Sequence, residues 1–338
     1  MLAFALLTGL ALYTQRGLAQ LTGKVGATST FVHKADIQIC DVTDYGASDS
    51  TDFGAAFTAA WNACSASGEG GLVYIPPGEY PLQTAVSVKD VDNMAVQFDG
   101  TVYRDAEITA DYFFEFENLG NFELFSGNSQ GAVQGYGYEY LENGDNGARL
   151  FLFQYCSDIS LHGLTLVDSP WYYVNVKGCE NMEIYNMRVY GATSEGGDDA
   201  FDVSGDNIWV HDVEVTNGDE CVTLKSPATN MLIESIYCNL SGGTAIGSLG
   251  LNTVIENIQY QNLYMNDADA CYIKSNGGNG TVSSITWENV YLHSSSYPLT
   301  INEAWGDDNG AEGIQVSDLT FNVCPFYPFS ILNFVSLS

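Results

Sequence analysis

The chain of 338 residues carries 42 Asp and Glu against 10 Lys and Arg, a formal net charge of −32. Such a polyanion is excluded from ordinary nucleic-acid or anionic-membrane binding, because affinity for phosphates comes from clustered cations. With 46% hydrophobic residues, only 15% charged residues and 35 glycines, the composition argues against disorder, coiled coil and collagen and points to a turn-rich β-protein.

In chain order, Leu2 to Leu12 is an apolar stretch too short to span a bilayer, and Gly17-Leu18-Ala19 supplies a small-x-small cleavage site, so residues 1–19 read as a secretory signal peptide. No later segment approaches ~18 apolar residues, so no membrane insertion is expected. Residues Ala55 to Cys64 place apolar and small side chains at helical spacing. A short helix there suits a cap over the open end of a sheet, whose free edge would otherwise pair with other chains. Gly71 to Gly78 then reads as the first strand and turn.

From about residue 150 one pattern recurs: a polar head, then apolar residues at period two. It starts at Asp158, Asn181, Asn207, Asn230, Asn257 and Ser284, at intervals of 23 to 27 residues. Periods of that length mean a solenoid, and no unit leaves room for a helix of ~10 residues beside its strands. The expected fold is therefore all-β, a right-handed parallel β-helix with one apolar interior and a short N-terminal capping helix. The head residues sit where a turn needs left-handed backbone, which Asn tolerates. We expect one catalytic domain over 20–322, with an atypical uncharged hydrophobic tail over 323–338 that reads as a cap or as a truncated or mispredicted end.

The eight cysteines contain no CxxC and the four histidines no HxH or HExxH, so no metal site is expected and, in a secreted chain, disulfides are. Sequons at Asn239 and Asn279 are candidate glycosylation sites.

The densest carboxylates are Asp198, Asp199 and Asp202, and then Asp219 and Glu220. Asp199 and Asp219 are separated by about one coil, which lets them become neighbours on one face. Such a cluster fits three readings: a solvated acidic turn, a calcium site, or the paired carboxylates of general acid–base hydrolysis. After Val189 the only cations are Lys225 and Lys274, placed to balance the cluster or to hold the carboxylate of an acidic sugar.

Four segments, Gly-Asp-Asp-Ala-Phe-Asp-Val (197–203), Asn-Gly-Asp-Glu-Cys-Val (217–222), Gly-Gly-Thr-Ala-Ile-Gly-Ser (242–248) and Tyr-Ile-Lys (272–274), follow the order and rough spacing of the signature segments of the polygalacturonase-like glycoside hydrolases, family 28, and the resemblance covers about residues 38 to 322. Where polygalacturonases carry His and Arg, this chain has Gly242 and Tyr272, while Lys274 is kept. These departures, with Asp-Glu-Cys-Val-Thr-Leu-Lys-Ser-Pro (219–227), resemble the secreted fungal rhamnogalacturonan hydrolases, which cut between galacturonate and rhamnose in pectin. An Arg suits a leaving sugar that bears a carboxylate; Tyr272 suits rhamnose, which carries a methyl group in its place.

The resemblance implies inversion, with Asp219 as general acid, Asp199 and Glu220 activating water, and Asp202 in support. It further implies Lys274, Tyr272 and Gly242 as substrate-binding residues, disulfides Cys40–Cys64 and Cys221–Cys238, and a pectic polysaccharide as the partner; the scarcity of cations adds Lys225, a lone His293 is either a cleft residue or a structural one, and a secreted monomer without a cofactor is expected. Acid and base should then stand ~6.5–9.5 Å apart. Cys324 is expected to lack a stable partner, and Asp206, on a nearby turn, to be dispensable. Polygalacturonase or xylogalacturonan hydrolase activity, a pectate or pectin lyase, and a non-catalytic β-helical binding protein are the alternatives; the absence of any Arg after Arg188 disfavours a lyase.

Overall fold

The computed structural model describes residues 21–325 apart from 142, 144, 192–196, 304 and 307–312. The chain forms a right-handed parallel β-helix in which every strand ladder is parallel. The repeat read from the sequence is the coil itself. Phe122, Ile159, Met182, Ile208, Met231, Ile258 and Ile285 stand in one register column, each pairing with the next, and all are fully buried. Period two turns these side chains inward, and strand pairing stacks like on like at about 4.8 Å.

Each head residue adopts the left-handed backbone expected of it: Asp158, Asn181, Asn207, Asn230, Asn257 and Ser284 all have φ between 54° and 60°. Their side chains bond up the stack, Asn181 Nδ2 to Asp158 Oδ1 at 3.1 Å and Asn207 Nδ2 to Asn181 Oδ1 at 2.8 Å. Asn serves here because it tolerates the turn and both donates and accepts.

The capping helix runs Phe53–Ser65. Asp52 starts it by accepting from Gly54 N–H at 3.1 Å, and the same carboxylate accepts from Gln83 and Thr84 N–H, so the cap also fixes the neighbouring coil. Phe53, Phe57 and Trp61, four residues apart, form its buried face against Phe114 and Phe122. Removing one such ring costs about 3–5 kcal/mol. A disulfide joins Cys64 to Cys40 on the strand Ile39–Asp41.

Two features differ from the sequence reading. Gly71–Ile75 is a strand but not the first, because Ile39–Asp41 precedes it and pairs with it, Ile39 opposite Leu72; three residues are too few to show a period. A helix also covers Phe31–Ile37, and before it an extended arm crosses the stacked turns. Thr22 N–H bonds Asn207 Oδ1, Gly26 N–H bonds Asn181 O, Ala27 N–H bonds Ser160 Oγ, and Thr28 and Ser29 N–H bond Asn121 Oδ1. The last strand, Gly313–Pro325, runs three residues past the expected boundary at 322 and pairs with Asn279–His293. The proposed signal peptide, residues 1–19, and residues 326–338 lie outside the described residues, as does the Cys324 side chain. Among the described residues no helix is long and apolar enough to cross a membrane.

Candidate active site

One sheet of the solenoid stacks Arg149–Gln154, the starts of Val174–Tyr185, Phe201–Thr216 and Val222–Asn239, then Thr244–Leu249, Cys271–Ser275 and Leu299–Asn302. The turns that lead into its middle strands carry the carboxylates. Asn217, fully buried, holds two of these turns together by donating to Asp198 O at 2.8 Å and Glu220 O at 3.1 Å. The turns also exchange bonds: Gly197 N–H donates to Asp219 Oδ2 at 2.5 Å, and Gly218 N–H to Asp198 Oδ1 at 3.0 Å. Cys221, next to Glu220, is disulfide-bonded to Cys238 at the far end of its strand.

The result is convergence. One oxygen from each of Asp199, Asp219 and Glu220 lies within 4.8 Å of the other two. Packed carboxylates require positive charge or protons, and both are present. Lys274 Nζ bonds buried Glu220 Oε1. Lys225 Nζ stands 3.2 Å from Asp202 and 3.6 Å from Asp199. Asn175 Nδ2 donates to the other oxygen of Asp202 at 3.2 Å. With two ammonium groups paired to three of these carboxylates, the group reads as an acid–base cluster rather than as a cation cage.

Burial, reinforced by Asp202 and Asp219, pushes Asp199 up to about 8. Burial, and then Glu220, raises Asp219 to about 6. Asp198 rises to about 8, mainly through burial. Burial also raises Asp202, although Lys225 opposes it. Desolvation works to lower Lys225, but Asp202, Asp199 and Glu220 outweigh it and hold the ammonium above its ordinary value. Burial thus holds the protons of Asp198, Asp199 and Asp219 well above the ordinary carboxylate range, which keeps a proton donor available in the cluster.

Gly242 bonds Asp219 O through its N–H at 2.8 Å, and a Cβ there would stand 3.3 Å from Glu220 Cγ. It therefore backs the pair closely. Gly243 must be glycine, because at φ 77° a Cβ would fall 1.9 Å from Asp269 O. Tyr272 borders the cluster edge-on to Trp305, with ring centroids 5.6 Å apart, and Lys274 Nζ lies 5.0 Å from the Trp305 ring.

The structure thus brings together Asp199, Asp202, Asp219, Glu220, Lys225, Lys274, Tyr272 and Gly242. His293 is not among them. It ends the strand Asn279–His293 in register with Asn266, bonds Asn266 Oδ1 at 2.8 Å and lines a surface groove with Tyr237, Tyr264 and Tyr291; its coil position comes before the turn, not within it. Asn239, whose Nδ2 donates to Val215 O at 3.3 Å, belongs to the same outer column, whereas Asn279 is exposed at a strand start. Sequence reading missed Trp305 and Asn217, and gave Asp198, although it counted it in the cluster, no role of its own. For Asn217 and Asp198 the signal was their place in the two quoted segments; for Trp305 there was none.

This fold and this cluster define a class, and the chain matches glycosyl hydrolases family 28 over residues 70–324. The chain belongs to that family. It is 55% identical to a probable rhamnogalacturonase C of Aspergillus flavus over 305 residues, 90% of this chain and 67% of the relative. It is 47% identical to rhamnogalacturonase A of Aspergillus aculeatus over 243 residues, 71% of this chain and 54% of that one. The chain thus spans about two thirds or less of the length of these curated relatives. Among solved structures, endo-xylogalacturonan hydrolase of Aspergillus tubingensis superposes with a TM-score of 0.73 at 22% identity, covering 84% of this chain and 83% of the other.

Proposed function

We propose that this chain is a secreted, pectin-degrading glycoside hydrolase that cuts the α-linkage between galacturonate and rhamnose in rhamnogalacturonan. The observation that carries the reading is the convergence of Asp199, Asp219 and Glu220 beside Lys274 and Tyr272, supported by the relatives named rhamnogalacturonase. Asp219, raised to about 6, protonates the glycosidic oxygen as rhamnose leaves. Asp199, which holds its own proton up to about 8, orients the water and Glu220 takes the proton from it, with Asp202 fixing Asp199 through Lys225 and Lys274 holding Glu220 and serving the galacturonate. Tyr272 and Trp305 present an aromatic wall to a leaving sugar that carries a methyl group and no carboxylate. The two disulfides fit an oxidising, extracellular compartment, where Asn239 and Asn279 are candidate glycan acceptors and the enzyme acts as a monomer.

Product analysis on rhamnogalacturonan alongside polygalacturonate tests this reading. Fragments with galacturonate at the new reducing end support it. Cleavage of polygalacturonate alone, unsaturated products, or no cleavage would replace it with a polygalacturonase, a lyase or a binding protein respectively. The resemblance implies inversion of configuration. NMR of the first-formed anomer decides, the β form meaning inversion.

A further inference from the structure

One residue beyond the inward pairs Val176–Val203–Leu224–Ile246–Ile273, where the ladders shift register after Val176, Val203 and Ile246, the sheet that bears the cluster has a column of outward positions. That column reads Gln154, Lys177, Ser204, Lys225, Gly247, Lys274, Asn302, with Gln154 opposite Lys177 and Lys274 opposite Asn302. Lysine recurs on every second coil, and small residues without charge occupy the coils between. Two strand spacings amount to about 10 Å. Below Gln154 the column continues through Glu117 to Lys89, so four of the chain's 10 cations share it, and the alternation holds from Lys177 to Lys274.

The three alternating lysines differ in their partners. Lys225 and Lys274 pair with the carboxylates of the cluster. Lys177 is exposed, and among the described residues no carboxylate lies within ion-pair distance of it or of Arg149. Glu117, two coils away in the same column, is paired with Lys89 at 3.5 Å. Tyr112 draws the two free cations together: its OH accepts from Lys177 Nζ at 3.0 Å, and both Lys177 Nζ and Arg149 Cζ lie 5.4 Å from its ring. Arg149 is held in turn 3.8 Å over the ring of Trp171.

We propose that Lys177 and Arg149 form a second anion-binding subsite, taking the carboxylate of a uronic-acid unit four sugars along from the one that Lys274 serves, with Lys225 midway between them. An extended glycan advances by close to one strand spacing per sugar, so cations on alternate coils match a polymer in which alternate sugars are acidic. A homopolymer of uronate would lay its intervening carboxylates over Ser204 and Gly247, beside Asp199, Asp202 and Glu220 with no cation to meet them. The inference rests on the pectinase reading for the direction of the chain and deepens it by making charge periodicity the basis of polymer choice.

The test uses Lys177→Ala, Lys177→Arg and Arg149→Ala in the full chain, with rhamnogalacturonan oligosaccharides of graded length. Lys177→Ala should raise KM about tenfold on fragments long enough to reach it, leave kcat unchanged, and behave as wild type on shorter ones. Lys177→Arg should restore most of the loss, and methyl-esterifying the substrate should abolish the difference. KM within twofold of wild type at every length, or an equal loss on esterified substrate, overturns the subsite. If wild type does not cut rhamnogalacturonan, the functional reading fails by itself. The subsite is then decided by calorimetric binding of rhamnogalacturonan and galacturonate oligosaccharides to Asp219→Asn with and without Lys177→Ala. Equal affinities with and without the lysine overturn it, as does tighter binding of the homopolymer.

Discussion

Two columns on the same solenoid follow opposite rules. On the outer sheet Tyr237, Tyr264 and Tyr291 pair in register and stack with ring centroids 4.6 and 5.1 Å apart and planes within 11° of parallel. Beside them Asn239 and Asn266 continue upward to His293. On the cleft sheet, neighbouring positions change chemistry at each coil, from Asp202 to Thr223, Ala245 and Tyr272. Where a column repeats itself, each residue serves its neighbours above and below; where it breaks its own pattern, each position meets a separate demand, Asp202 pairing with Lys225 and Tyr272 packing edge-on to Trp305.

The sharpest way to break this comparison is Asp219→Asn. The amide keeps the shape and removes the transferable proton, so kcat should fall by about 10²–10⁴ with little change in KM. Asp199→Asn and Glu220→Gln should be comparably severe, and double variants far from additive, as single-turnover assays will read. Near-normal turnover in Asp219→Asn would assign the proton to another group.

The second effect is on pH. With Asp219 as the acid, kcat/KM should decline above about pH 6, following its raised carboxyl. Stability should follow the same cluster. Asp198 and Asp199 have folded values near 8, above their unfolded value, so they favour the folded state fully at low pH and lose that contribution as pH rises through the folded value. The melting temperature should therefore fall between about pH 4 and 8, and Asp198→Asn, which mimics the neutral acid, should flatten that fall. A melting temperature that rises across this range would contradict the burial of these groups.

Smaller effects belong to the repeating columns. Tyr264→Ala removes a ring stacked on both sides, and calorimetry should read a loss of about 1–3 kcal/mol with kcat intact. Asp206 accepts from Thr229 Oγ1 and, at 2.7 Å, from Asn230 Nδ2, so Asp206→Asn should lower stability by about 0.5–1.5 kcal/mol while leaving activity unchanged. The sequence reading expected no role for Asp206, and on activity that expectation remains. His293→Ala should be the mildest, with turnover unaffected.

What was legible in the sequence follows the same division. The inward column from Ile159 to Ile285 and the left-handed heads showed themselves as a period, because the same physical demand recurs in each coil. The carboxylates were legible by density, and their alignment by the four segments. The strand Ile39–Asp41 and the arm before it were not, having no repeat behind them. Nor was the reach of side chains around a turn: a His four residues from the cluster's level faces elsewhere, and Trp305 arrives from a stretch without pattern. The lysine spacing, 48 and then 49 residues from Lys177 to Lys225 to Lys274, was visible as two repeat lengths but acquires meaning only once the coils are counted.

The arm over residues 22–29 has a consequence for how the molecule comes together. A solenoid otherwise joins only adjacent coils, so it can zip from any point and fray from either end. The bond from Thr22 to Asn207 spans 185 positions of sequence, and those at Asn181, Ser160 and Asn121 descend the stack in turn. Residues made first can therefore settle only after the coil at Asn207 exists. That clasp ties the segment at 22–29 to the coils from Asn121 to Asn207, so this part of the stack should melt as one body rather than coil by coil.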